Sequence, residues 1–358
     1  MTANKETRQS ERPFVSSETN EPSPGSQAPL PDGQSARATT EDQPHESTAS
    51  VLAAIAANIA VGIFKFIAAG LSGSSALISE GIHSIVDSGN GVLVLVGIKR
   101  SHQRPDRVHP FGYGMELYFW TLIVSVMIFA LGGGLSIYEG ISHVRSIQPG
   151  DVPGNPFWSY IVIVGAMVIE GFSLRVALKQ FNQARGDIRP LAFIKQAKDP
   201  SLFTVVLEDS AAELGLVFAL LGTFLTQLTG NLYFDGSASI VIGLLLACVA
   251  ILLLRETKGL LIGEGMSKTD VLAVERIVEA NPQVVECGRI LSMYLGPHDL
   301  LLNIDVTFAP QITRDETVGA IDQIEAGIVH AFPDVTRVFI EPESLQYTKT
   351  NNPSAHAE

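Results

Sequence analysis

Hydrophobic residues are concentrated in one long region of the chain. From Val51 onward, six apolar stretches follow one another, each approaching the roughly 20 residues that an α-helix needs to cross about 30 Å of hydrocarbon. They occupy residues 51–71, 76–98, 117–138, 157–178, 202–225 and 237–254. This pattern predicts an α-helical membrane protein with a six-helix transmembrane domain over residues 51–258.

Polar segments flank this region. Residues 1–50 are rich in Ser and Pro and contain no long apolar run. Such a segment cannot bury enough apolar surface to offset its ordering entropy, so it is predicted to be a disordered tail rather than a secretory signal peptide. Residues 346–358 are predicted to form a second polar tail.

Residues 263–345 show the patterning of a small soluble domain. Two helix starts are indicated by capping-box pairs, Ser267 with Asp270 and Thr313 with Glu316. Strands are predicted over residues 284–295, 302–308 and 335–340. The order α-β-β-α-β predicts a small antiparallel α+β domain. Apolar and polar residues alternate over residues 302–308, which predicts a half-buried strand with Asp305 and Thr307 on the solvent face.

The composition supports a membrane protein and excludes several other classes. Charged residues make up 17% of the chain, against about 25% in globular proteins, and the mean hydropathy is +0.26. A net charge of −13 argues against nucleic acid as a partner. The two cysteines, Cys248 and Cys287, cannot form a disulfide framework or a four-cysteine zinc site.

The distribution of Lys and Arg predicts the orientation in the membrane. Loops 99–116 and 179–201, with the segment after the sixth stretch, carry eleven Lys and Arg residues, whereas the alternate connections carry only Arg145. Because positive loops stay in the cytoplasm, both termini are predicted to be cytoplasmic. We expect an integral multi-pass protein of the plasma (inner) membrane.

Ionisable residues interrupt the second apolar stretch. At 100° per residue, Glu80, His83 and Asp87 fall within an arc of about 60° on one helix face. An imidazole and a carboxylate four residues apart project together and can form one edge of a divalent-metal site. Charged groups at bilayer depth cost a few kcal/mol each, so this face is predicted to contact other polar groups, water or a cation.

The fifth stretch carries a second acidic group. Asp209 and Glu213 lie four residues apart, about 40° from each other, while Glu208 points about 100° away from Asp209. Carboxylates from this helix, together with His83 and Asp87, would complete a tetrahedral site of one nitrogen and three oxygens. The alternative is a hydrogen-bonded polar network that only holds the helices together.

Other polar or small residues have simpler interpretations. Lys65 is predicted to snorkel to the membrane interface, without a ligand role. Glu170 is as compatible with a structural as with a functional role. Gly132, Gly133 and Gly134 indicate close helix packing.

Outside the apolar stretches there are further metal candidates. Asp106 and His109 lie three residues apart in a basic loop, although a surface pair of this kind is usually only solvated. In the soluble region, isolated residues that could bind a metal are His298, Asp299 and His330.

Two stretches in tandem resemble a known family. They are SGSSALISEGIHSIVDSGNGVLVLVGIKRS (residues 72–101) and HPFGYGMELYFW (residues 109–120). They resemble the cation diffusion facilitator family of divalent-metal/proton antiporters, and the resemblance extends over residues 51–345. It implies six transmembrane helices, a cytoplasmic metallochaperone-like domain, and homodimerisation through that domain.

The resemblance also implies a metal site between the second and fifth helices, with two ligands four residues apart from each. The second-helix pair corresponds to His83 and Asp87. The fifth-helix sequence LEDSAA is similar to that of a divergent subgroup, and it implies ligands among Asp209, Glu213 and Glu208.

The chain departs from the family pattern at two places. Tyr113 stands where many members have a histidine, which implies a weak or absent site at Asp106 and His109. The histidine that often precedes the final Glu-Pro motif is missing before Glu341 and Pro342, which argues against a binuclear metal centre in the soluble domain.

The predicted function is efflux of divalent metal from the cytoplasm, zinc first, with manganese, iron and cobalt as alternatives. Exchange for protons is expected because metal and protons compete for the same lone pairs. No cofactor and no enzymatic activity are expected. The alternatives are a metal-binding sensor or scaffold without transport, and an intramembrane aspartyl hydrolase using Asp87 and Asp209, which would leave His83 without a role.

Overall fold

The computed structural model describes residues 48–343. Most of the predicted N-terminal tail, residues 1–47, and all of the predicted tail 346–358 lie outside the described residues. The first helix begins at Thr48, slightly before the first apolar stretch.

Within residues 48–262, all regular secondary structure is helical. The helices are α1 (Thr48–Ser72), α2 (Ser75–Ser101), α3 (Glu116–Met127), α4 (Leu135–Ser146), α5 (Phe157–Arg185), α6 (Pro190–Gln196), α7 (Pro200–Thr229) and α8 (Tyr233–Ile262). A π-helical segment, Ile128–Gly134, joins α3 to α4 so that Glu116–Ser146 forms one continuous helix.

Within residues 48–343, five helices are long and apolar enough to cross a membrane: α2, the continuous α3–α4 helix, α5, α7 and α8. Helix α1 adds a shorter apolar stretch, Asn58–Ser72. These helices correspond to the six predicted stretches but extend beyond them. Arg255 and Lys258, predicted to follow the sixth helix, in fact lie within α8.

Helix α2 lies at the centre of this bundle. It contacts α1, α3, α4, α7 and α8. Its buried residues include Ser79, Glu80, His83 and Asn90, which therefore face other helices rather than lipid. The central position of α2 explains how an apolar helix can carry so many polar side chains.

The predicted close packing of the triple-glycine segment is confirmed at the contact between the π-helical segment and α8. A Cβ added at Gly133 would lie 3.1 Å from the carbonyl oxygen of Gly243. A Cβ added at Gly243 would lie 2.6 Å from Cγ1 of Ile137, which is too close for any real side chain. The two backbones can approach this closely only because both positions are glycine.

The C-terminal part contains α9 (Lys268–Glu279), β1 (Val284–Gly296), β2 (Asp299–Phe308), α10 (Arg314–Ala331) and β3 (Val335–Glu343). Both predicted helix starts are confirmed. Ser267 accepts a hydrogen bond from the N–H of Asp270, and Thr313 with Glu316 forms a complete capping box.

The sheet has the order β1-β2-β3 and is mixed, so the prediction of an antiparallel domain is wrong for one of its two strand pairs. Strands β1 and β2 are antiparallel, with Ile290 opposite Ile304, whereas β2 and β3 are parallel, with Ile304 opposite Ile340. The cause is α10, which returns the chain to the end at which β2 began, so that β3 runs in the same direction as β2.

The central strand β2 is also more buried than its alternating pattern predicts. Leu302 and Ile304 are fully buried in the domain core, as expected. Asp305 and Thr307, predicted to face solvent, are buried as well. The guanidinium of Arg289 on β1 lies over Asp305, with its Nε 3.5 Å from Oδ2 of the carboxylate. A side chain of the neighbouring strand thus shields Asp305 from solvent.

Candidate metal centre

A small cavity lies among four helices of the bundle. Its volume is about 40 Å³, on the scale of one water molecule or one ion. Helices α1, α2, α5 and α7 contribute its lining residues, which are Asn58, His83, Ser84, Asp87, Ile169, Glu170, Ser173, Asp209 and Ala212.

Two of the predicted ligands come from α2. His83 and Asp87 are one helical turn apart and both line the cavity, as their spacing predicts. The imidazole of His83 is buried, with 5% of the residue exposed. The carboxylate of Asp87 accepts a hydrogen bond at Oδ2 from Nδ2 of Asn58, at 2.6 Å, so α1 fixes its orientation.

A third predicted ligand, Asp209, comes from α7. Its Oδ2 accepts a hydrogen bond from the hydroxyl of Ser173 on α5, at 2.9 Å. The structure therefore brings His83, Asp87 and Asp209 to the wall of one cavity. Within residues 48–343, however, no three His, Cys, Asp or Glu side chains are close enough together to hold a metal ion.

The other two acidic candidates of α7 do not reach this cavity. Glu208 is buried and accepts a hydrogen bond at Oε1 from Nδ2 of Asn90 on α2, at 2.9 Å. The carboxylate of Glu213 packs against α5, where its Oε2 would lie 3.7 Å from a Cβ added at Gly171. Both residues remain candidate metal ligands on the basis of the sequence, but neither lines the cavity.

Lys65 differs most from its predicted role. It is fully buried, and its ammonium group donates to three oxygens: Oε2 of Glu80 at 3.0 Å, Oγ of Ser84 at 3.0 Å and Oε1 of Glu170 at 2.7 Å. The prediction that Lys65 snorkels to the interface is wrong because the carboxylates of Glu80, which is buried, and Glu170, which is half-buried, offset its charge within the bundle.

This contact also explains the positions of Glu80 and Glu170. Glu80 shares a helix face with His83, yet its carboxylate is turned toward Lys65 and does not line the cavity. Glu170, left open between two roles by the sequence, both pairs with Lys65 and lines the cavity. The signal in the sequence was a lysine within an apolar stretch, in a protein whose other apolar stretches contain several acidic residues.

Residues 51–262 match the family model described as the cation efflux transmembrane domain. The chain belongs to the cation efflux, or cation diffusion facilitator, family. The α-helical membrane fold with a small soluble α+β domain, predicted from the sequence, is the fold of this family member.

Several curated relatives resemble this cation efflux protein. The mitochondrial proton-coupled zinc antiporter SLC30A9 of Mus musculus is 33% identical over 261 residues, covering 72% of this chain and 45% of that protein. Metal tolerance protein C4 of Arabidopsis thaliana is 32% identical over 268 residues, covering 74% and 58%. The manganese efflux system protein MneP of Bacillus subtilis is 24% identical over 294 residues, covering 81% and 93%. The chain thus spans about half the length of the first two relatives.

Among solved structures, a nickel form of a MamM CTD variant matches with 14% identity and a TM-score of 0.21. The match covers 22% of this chain and 98% of that one.

In this family member, the loop candidates Asp106 and His109 are organised by hydrogen bonds. Oδ1 of Asp106 accepts from the backbone N–H groups of Val108 and His109, at 2.8 and 2.6 Å, and Oδ2 accepts from the hydroxyl of Tyr113 at 2.8 Å. These hydrogen bonds, that of the His109 N–H foremost, hold the pKa of Asp106 below its usual value. The carboxylate orders the loop, and metal binding there stays a prediction.

The candidates in the soluble domain have other partners. Nδ1 of His298 lies 2.9 Å from Oδ1 of Asp334. Asp299 is paired with Arg337, and His330 lies in the last turn of α10. Among the described residues of this domain, these side chains form no cluster that could hold a metal ion.

Proposed function

We propose that this protein exports divalent metal cations, zinc first, across a membrane in exchange for protons. The observation that carries the proposal is the cavity of the membrane domain, whose lining includes a buried imidazole, His83, and two carboxylates, Asp87 and Asp209, from two helices. These are nitrogen and oxygen donors of the kind that zinc accepts. They lie within the transmembrane domain of a cation efflux family member, which supports cation transport across a membrane as their role.

Proton exchange follows from the chemistry of these ligands. Metal coordination requires a neutral imidazole and ionised carboxylates, so a metal ion and protons compete for the same lone pairs. A protein that exposes the cavity to each side of the membrane in turn would therefore release metal where protons are taken up. The name of the mouse relative, a proton-coupled zinc antiporter, supports the same exchange.

Binding requires a small rearrangement. Asn58 and Ser173 each donate a hydrogen bond to one carboxylate, Asp87 and Asp209 respectively. A metal ion would replace these neutral donors and draw the two carboxylates and His83 together.

The choice of metal rests on the donor set. One imidazole nitrogen among oxygens favours zinc, cobalt or iron over magnesium and calcium. Several carboxylates make the site harder than one with two histidines, which keeps manganese and iron open, and one relative is named as a manganese efflux protein. A comparison of zinc, manganese, iron and cobalt flux in the same vesicles would decide among them.

Orientation, assembly and location form part of the same proposal. We place both termini in the cytoplasm, on the strength of the Lys and Arg distribution, and propose a homodimer formed through the soluble domain. The plasma (inner) membrane is our first choice, while the mouse relative is named as mitochondrial. No enzymatic activity is assigned to the protein.

The test is zinc flux into proteoliposomes with an imposed pH gradient. The double variant His83→Ala with Asp87→Ala should lose flux. The matched control replaces an exposed histidine and an exposed aspartate, His102→Ala with Asp187→Ala, and should transport as the unchanged protein does. Unchanged flux in the His83 and Asp87 variant would overturn the proposal. Stoichiometric zinc binding without flux in the unchanged protein would instead favour a sensor or scaffold.

A further inference from the structure

We propose, on the basis of the proposed function, that Glu170 of α5 is a ligand of the transported cation and that Lys65 of α1 is the residue that positions it. The site then draws on three helices, α2, α5 and α7. Glu170 takes the place for which the sequence analysis offered Glu213 or Glu208.

The first observation is the environment of the Glu170 carboxylate. Glu170 lines the cavity together with His83, Asp87 and Asp209. Its Oε1 is held by Lys65, but its Oε2 is buried and has no hydrogen-bond partner in the part of the chain that the structure describes. A buried carboxylate oxygen without a donor is unfavourable, and a cation in the cavity would supply the missing partner.

The second observation is the number of donors. His83, Asp87 and Asp209 supply three protein ligands, whereas a zinc ion bound only by protein takes four. Among the described residues that line the cavity, Glu170 is the remaining carboxylate. Glu213 also has a buried oxygen without a partner, but that residue is not among the lining residues.

The third observation is that Lys65 is fully engaged. An ammonium group has three hydrogen-bond donors, and those of Lys65 are directed at Glu80, Ser84 and Glu170. Lys65 therefore has no donor left to turn toward the cavity. Its hydrogen bonds to Glu80 and Ser84 of α2 fix the position of its ammonium group. It holds Oε1 of Glu170 at 2.7 Å, which leaves Oε2 as the free ligand atom.

Ser84 strengthens this assignment because it belongs to both groups. It accepts a hydrogen bond from Lys65 and lines the cavity beside His83. The Lys65 cluster and the cavity are therefore adjacent, with Glu170 and Ser84 as their shared wall. Movement of Lys65 would move a proposed ligand, so we expect cation binding to depend on a residue that does not touch the cation.

The test is Co²⁺ titration of the purified full-length protein in detergent, followed by the visible d–d absorption spectrum. The spectrum reports the donor set and geometry of the bound ion, and the titration gives Kd. Glu170→Gln should raise Kd at least about tenfold and alter the spectrum. The matched control, Glu139→Gln, replaces a half-buried glutamate of α4 away from the cavity and should change neither.

The role of Lys65 is tested in the same way. Lys65→Met should raise Kd and alter the spectrum although all the ligands are still present, which a purely structural role would not do. The double variant Lys65→Met with Glu80→Gln removes one charge of each sign. It should fold more readily while showing the same spectral change. A wild-type Kd and spectrum in these variants would overturn the role of Lys65.

Asp87→Asn separates this inference from the proposed function. If Asp87→Asn abolishes Co²⁺ binding while Glu170→Gln leaves Kd and spectrum unchanged, the assignment of Glu170 is wrong and the proposed site stands. If Asp87→Asn also binds Co²⁺ as the unchanged protein does, the proposed site itself is wrong. A spectral change in Glu213→Gln but not in Glu170→Gln would return the fourth ligand to α7.

Discussion

The backbone N–H of Ser75 at the start of α2 donates a hydrogen bond to Oδ2 of Asp235 at the start of α8, at 2.5 Å. The hydroxyl of Ser74 donates to the other oxygen of the same carboxylate, at 2.6 Å. The first N–H groups of a helix have no partner within it, and the helix dipole favours a negative charge beside them. Helix α8 thus fixes the start of the helix that carries His83 and Asp87.

We predict that Asp235→Ala destabilises the membrane domain. The change leaves the N–H groups of Ser75 and Ala76 unsatisfied in a buried place, since Asp235 is only 3% exposed. The expected loss is at least about 2 kcal/mol, or a Tm lower by about 5 °C or more, measured by thermal unfolding in detergent. Asp187→Ala, at an exposed position, is the control. Equal Tm values for the two variants would show that the Asp235 contact contributes nothing.

A second prediction concerns the glycine contact between the π-helical segment and α8. Gly243→Ala should force the helices apart, because its Cβ would lie 2.7 Å from the backbone nitrogen of Ile137, and overpacking of this kind costs about 1–3 kcal/mol. In Gly165→Ala the new Cβ meets no atom of the described residues within 4 Å. The yield of monodisperse protein and its Tm should fall for Gly243→Ala only. A comparable fall in both variants would contradict this reading.

A third prediction concerns the reactivity of Cys287 in β1. Burial, with the nearby charges of Glu275 and Glu279, raises the pKa of its thiol to about 11. At pH 7.5 the reactive thiolate should be about 100-fold scarcer than in a thiol of pKa 9. Iodoacetamide labelling in a Cys248→Ala background should therefore be slow and should rise about tenfold per pH unit up to pH 10.

The unfolded chain is the control for this labelling, and its Cys287 should react at the ordinary rate. A labelling rate in the folded protein that stops rising near pH 9 would contradict the raised pKa.

A fourth prediction concerns the contact between the soluble domain and the helices. The ammonium of Lys198, before α7, lies 2.6 Å from Oε2 of Glu264, just after α8. Because the Glu264 side chain is 37% exposed, solvent screens the pair, and we expect a coupling energy of about 0.2–1 kcal/mol in a double-mutant cycle.

The measurement is protease cleavage near residues 263–267 at low salt. Lys198→Glu should speed cleavage, and adding Glu264→Lys should restore the original rate. Lys195→Glu, an exposed lysine three residues away, is the control. Equal effects of Lys195→Glu and Lys198→Glu would show that only net charge matters.

The local pattern of the sequence was enough to predict several features. The apolar stretches, the two capped helices of the soluble domain and the shared face of His83 and Asp87 depend on residues only a few positions apart. Their geometry is set by the repeat of the helix, which a sequence displays directly. The approach of Asp209 to the same cavity needed the family resemblance as well.

What the tertiary structure alone decided are the contacts between distant positions. The pairing of Lys65 with Glu80 and Glu170 joins residues up to 105 positions apart, and it depends on how α1 and α5 are rotated against α2. The parallel alignment of β3 depends in the same way on the path of α10. Periodicity shows which residues of a helix share a face, but the face of the neighbouring helix that meets it is set by packing of the whole bundle. The sequence therefore determined the charged groups available in the membrane, and only packing decided which of them neutralise one another and which remain free for a cation.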